Sequence, residues 1–96
     1  MAKDKEKVID EVWTEDHVRS FLNIRSSDGT DNDFHALLKA YRSMRPSDFK
    51  LFIAMFKEAD RNLDATDKQG RNVLSIVSEH RHGKEYAETL RIAGAQ

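Results

Sequence analysis

Residues 63–95, LDATDKQGRNVLSIVSEHRHGKEYAETLRIAGA, decide the fold. They read as a tight turn, a short helix, a second turn at Gly83 and a return helix ending at Gly94. Asp67 can fold its carboxylate onto backbone N–H groups two residues on, and Gly70 can take the positive φ such a turn needs. Asn72 suits the N-cap of a helix starting at Val73. Val73, Leu74, Ile76, Val77 and His80 fall on one apolar-biased face at helical spacing. Gly83 permits the reversal, and Gly94 sits where a capping glycine ends a helix.

A second unit of the same kind lies upstream. Phe34, Leu37, Leu38 and Tyr41 recur at helical spacing, and Phe49, Phe52, Ile53 and Phe56 do so again. That spacing places Tyr41 in the core. Thr30 with Asp33 has the form of a capping box, and Pro46 fits the first position of a helix, where its missing N–H costs nothing. Nearer the N-terminus, Thr14 is a good N-cap, followed by Glu15 and Asp16 in the first turn. Trp13 and Val18 are spaced as a hydrophobic staple. The expected fold class is all-α, with five helices. A short capping helix near 15–23 precedes two antiparallel hairpins, 31–44 with 46–58 and 72–81 with 84–93. Phe52, Phe56, Leu74 and Leu90 hold equivalent inward positions and are expected to meet in one core.

The ordered set Asp67, Gly70, Val73-Leu74, Ile76-Val77, Gly83, Tyr86-Ala87, Leu90 and Gly94-Ala95 resembles one ankyrin repeat. Asp60-Arg61-Asn62-Leu63-Asp64-Ala65 resembles the ankyrin connector, with its Gly-Ala lost. The two units recur at about 33 residues, the period of that repeat class. Asn72-Val73-Leu74-Ser75 stands where the family opens its first helix with Thr-Pro-Leu-His, and bulkier Ile76 and Val77 replace the family's small central residues. The resemblance implies stacked hairpins, with an N-terminal segment or self-association closing the short stack. The whole chain is also similar to a small family of bacterial proteins of the kind found in pseudomonads, a resemblance that carries no activity over.

Composition bounds the function. The chain has 96 residues, read as a flexible tail over 1–11 and one domain over 12–96. It contains no cysteine, which excludes a disulfide framework and thiolate metal ligands. No apolar run approaches the roughly 20 residues of a membrane span, and the first residues carry no apolar signal region. A cytoplasmic protein without membrane contact is expected. Sixteen basic residues face 17 acidic ones, for a net charge of −1. A dedicated nucleic-acid binder usually shows a strong basic excess.

Candidate chemistry is sparse. His80 and His82 are two apart, a spacing that does not share a helix face, and nothing nearby completes a ligand set. The dipole of a helix C-terminus accounts for His80, while His17 and His35 sit at helix starts without an evident partner. Ser26-Ser27-Asp28-Gly29 lacks the glycines and the Gly-Lys-Ser/Thr ending of a phosphate loop and reads as a turn. Asp31 with Asp33, and Glu85 with Glu88, fit exposed helix turns. No triad or cofactor fingerprint is found, so no catalytic residue, cofactor or metal is expected.

The expected function is a non-enzymatic protein-interaction module, monomeric in preference. By the ankyrin resemblance, its partner-binding residues are Asp67, Lys68, Gln69 and Arg71 in the turn finger, with Ser75, Ser78 and Glu79 on the following helix. The partner is an unidentified protein. The alternative class is a nucleic-acid-binding accessory protein using a basic edge of Lys39, Arg42, Arg45 and Lys50.

Overall fold

Short polar side chains open the helices α1 (Glu15–Ser20), α2 (Asn32–Ser43) and α4 (Val73–Val77) of the computed structural model, which describes residues 13–96. Thr14 accepts the His17 N–H at 3.1 Å, and Asn72 accepts the Ser75 N–H at 2.9 Å. Pro46 is the first residue of α3 (Pro46–Glu58). A 3₁₀ turn, Phe21–Asn23, extends α1, and another, Arg81–Gly83, leads into α5 (Lys84–Ala93). At α2 the cap is Asp31, which accepts from Asp33 and Phe34. Thr30 is not the cap: its N–H is held by the Asp28 carboxylate at 3.0 Å, and Asp33 turns away to pair with Arg61. The expected tail over 1–11 lies outside the described residues.

Helices α2 and α3 form one hairpin, and α4 and α5 form a second. Both end in the same way. At the end of α3, the Asp60 N–H reaches the Lys57 carbonyl at 2.9 Å and the Arg61 N–H reaches Phe56 at 3.1 Å. At the end of α5, Gly94 reaches Arg91 at 3.0 Å and Ala95 reaches Leu90 at 2.9 Å. These are Schellman caps, which need a left-handed residue. Gly94 supplies it with φ 113°, and Asp60 supplies it with φ 57°. A carboxylate at the front of each unit then takes the next backbone N–H. Asp33 accepts from Asn62 at 3.0 Å, and Asp64 accepts from Gln96 at 2.7 Å.

Helices α3 and α5 lie side by side and run in the same direction. Tyr86, near the start of α5, donates its hydroxyl to the Met44 carbonyl just before α3 and packs edge-on against Phe49 at 5.2 Å. Pro46 and Ser47 border Glu85 at that end, and Lys57 borders Ala93 at the other. One core cluster takes residues from all five helices, with Phe49, Phe52 and Phe56 fully buried along α3. Leu74 and Leu90 belong to the same cluster, as the spacing predicts. Among the described residues the only β pairing is an isolated bridge, Thr66 with Asn72, at the base of the finger.

Three local expectations change. Helix α4 stops at Val77, short of residue 81. The chain must fold back beneath its end, and buried Gly83 lies against the Val77 carbonyl. Trp13 stacks on His17 at 4.2 Å and leans on Phe21 at 5.5 Å, so His17 has a partner, while the half-buried indole packs against the core cluster. Tyr41 is only half-buried, because its hydroxyl reaches out to His80 Nδ1 at 2.7 Å.

Candidate interaction surfaces

The finger is a small closed structure. Asp67 accepts from the backbone N–H groups of Gln69 at 2.8 Å and Arg71 at 2.9 Å. The Arg71 guanidinium closes back on the same carboxylate at 3.0–3.1 Å. The Arg71 N–H bond, with those from Gln69 and the guanidinium, holds the Asp67 carboxyl below the usual carboxylate range. Gly70, at φ 81°, completes the turn. Lys68 crosses to the neighbouring loop and donates to the Asp28 carbonyl. That loop is likewise closed on its own carboxylate. Asp28 is lowered by the Ser26 hydroxyl first and by Thr30 second.

These bonds sort the residues named from sequence. Asp67 is committed to shaping the finger, and Lys68 ties it to the loop at Asp28. Gln69 and Arg71 are exposed at the tip and its flank. On α4, Ser75 turns its hydroxyl to the Asn72 carbonyl at 2.8 Å, and just past its end Ser78 accepts from Arg91 at 3.5 Å. Glu79 is exposed in the turn that follows α4. Gln69, Arg71, Ser75 and Glu79 are all exposed, with the Arg71 guanidinium paired to Asp67.

The basic edge divides. Lys39 and Arg42 border a shallow groove with Asp28, His35 and Leu38. Lys50 borders a different groove, between α3 and α5, with Glu85 and Glu88. Arg45 lies 4.0 Å from Asp48 in the first turn of α3. The structure brings Lys39 and Arg42 together and sets Lys50 apart.

Two clusters have no counterpart in the sequence reading. Tyr41, His80 and Tyr86 join the turns of both hairpins: Tyr41 stacks on His80 at 5.7 Å and meets Tyr86 edge-on at 4.9 Å. Burial first, then Tyr41 and Glu85, pushes the Tyr86 hydroxyl up from its ordinary value. At the opposite end, Arg61 pairs with Asp33, donates to the Leu22 carbonyl at 2.9 Å and lies over the Phe56 ring at 5.1 Å. No helix among the described residues is long and apolar enough to cross a membrane. No protein family, curated protein or solved structure was found to match this chain.

Proposed function

We propose that the chain is a non-enzymatic protein-interaction module, built as a capped pair of ankyrin-like hairpins. The repeated Schellman caps, the repeated carboxylate-to-backbone bonds and the like-directed helices α3 and α5 support the ankyrin reading. The observation that carries the function is the pre-closed finger. Asp67, Arg71 and Gly70 hold its shape, and Lys68 anchors it, so binding through Gln69, Arg71 and Glu79 requires little ordering of loop atoms. A loop held in its bound shape loses less entropy on association.

The test is affinity capture from native extract with the wild type and a Gln69→Ala, Glu79→Ala variant, both sites being exposed. Captured proteins are then measured against each form by calorimetry. At least one is expected to bind the wild type and lose about tenfold or more in affinity for the variant. A set of partners that binds both forms equally would overturn the assignment. A parallel titration with mixed-sequence DNA and RNA at two salt concentrations separates the alternative class. Phosphate contacts give binding that falls steeply with salt. Such binding, abolished by Arg42→Glu with Arg45→Glu, would replace the protein-interaction reading.

A further inference from the structure

The parallel helices α3 and α5 border an open groove. Ile53, Ala54, Ile92 and Ala93 contribute its apolar lining. Ile92 is 77% exposed, the most exposed of the large hydrophobics among the described residues. Lys50 and Lys57 stand on the α3 side, and Glu85 and Glu88 on the α5 side. None of these four charges has an ion pair among the described residues.

We propose that a second copy of this chain docks in the groove, forming a two-fold symmetric dimer. A two-fold axis lying along the groove, parallel to both helices, sets α3 of each copy against α5 of the other. Lys50 of one copy then faces Glu85 and Glu88 of the other. The contact is made twice, because a two-fold interface is isologous. An axis across the helices would instead set lysine against lysine. The chain thus supplies both signs of charge in the register that its own copy needs. The same operation covers both Ile92 side chains with the other copy's apolar lining. Exposed ion pairs contribute little each, so covering Ile92 supplies attraction while the charges select orientation.

Sedimentation equilibrium of the full chain from about 1 μM to 1 mM reads the dimer constant. Ile92→Glu, at an exposed site, is expected to weaken the dimer at least about tenfold, with circular dichroism and the thermal midpoint showing the fold intact. Lys50→Glu and Glu88→Lys are each expected to weaken it, and the double variant to recover it. A chain monomeric throughout would overturn the proposal. So would a dimer indifferent to Ile92→Glu, a double variant no better than the singles, or growth beyond dimers with rising concentration.

Discussion

Gly83 lies buried under the end of α4, with φ −92°, a value open to any residue. Its requirement is space. A methyl group there would sit 2.4 Å from the Val77 carbonyl oxygen and 2.8 Å from Val77 Cγ1. The nearer atom is backbone, which cannot swing aside as a side chain can. Gly83→Ala should therefore cost about 1–3 kcal/mol, as overpacked sites do, read by urea denaturation. A change within about 0.5 kcal/mol would show that the turn can shift. Asp28 and Asp67 make a second case at this scale. Their folded carboxyls titrate below the ordinary value of about 3.9. Their contribution is present above that value and is lost as pH falls through the lowered ones. The thermal midpoint should decline on acidification below about pH 4, with a shallower decline in Asp67→Asn. Equal declines in both proteins would remove Asp67 from the account.

The ends of α3 and α5 show how one backbone motif is met by two different residues. Both caps need a left-handed residue, and Gly94 takes that conformation without a Cβ penalty. Asp60, at φ 57°, takes it as an L residue, tolerated because aspartate visits this region more readily than most. Asp60 is exposed, and its strain is local. Asp60→Gly should raise stability by about 0.5 kcal/mol or more, the usual gain from relieving such a site. Thermal unfolding of the two proteins at one pH checks it, and a loss of stability would mean that the Asp60 side chain contributes more than its conformation costs. The sequence shows the glycine of the second cap directly. The first cap is legible only through its place in the connector, because nothing in Asp60 itself announces a positive φ.

Across the whole molecule, stability rests on a core shared by both hairpins and α1. Val18, Phe52, Phe56, Leu74 and Leu90 belong to one cluster. Leu74 is 7% exposed although its helix is a single short segment. Leu74→Ala should cost about 2–5 kcal/mol, a large share of the roughly 5–15 kcal/mol that holds a typical domain. Denaturation followed at Trp13, which packs on α1, should shift with it, because the hairpins and α1 share one core. A midpoint at Trp13 that stays fixed while the helical signal moves would show that the two ends unfold separately.

Helix positions, most caps and the inward residues were legible in the sequence because they depend on neighbours. A cap bond spans three residues, and a buried face recurs once per turn. Thr14, Asn72, Pro46, Gly70 and Gly94 all act as their local chemistry requires. Other features needed the tertiary structure. Lys68 on the Asp28 carbonyl, Arg61 between Asp33 and the Leu22 carbonyl, and Tyr86 on the Met44 carbonyl join partners 28 to 42 residues apart. Every residue offers a backbone carbonyl, so the acceptor in three of these bonds leaves no mark in the sequence. The same holds for the candidate surfaces. Spacing put Lys39 and Arg42 on one face of one helix. Only the packing of α5 beside α3 moved Lys50 into a different groove, opposite Glu85 and Glu88. Which charges share a surface is set by how helices dock, and docking sums contacts from the whole chain.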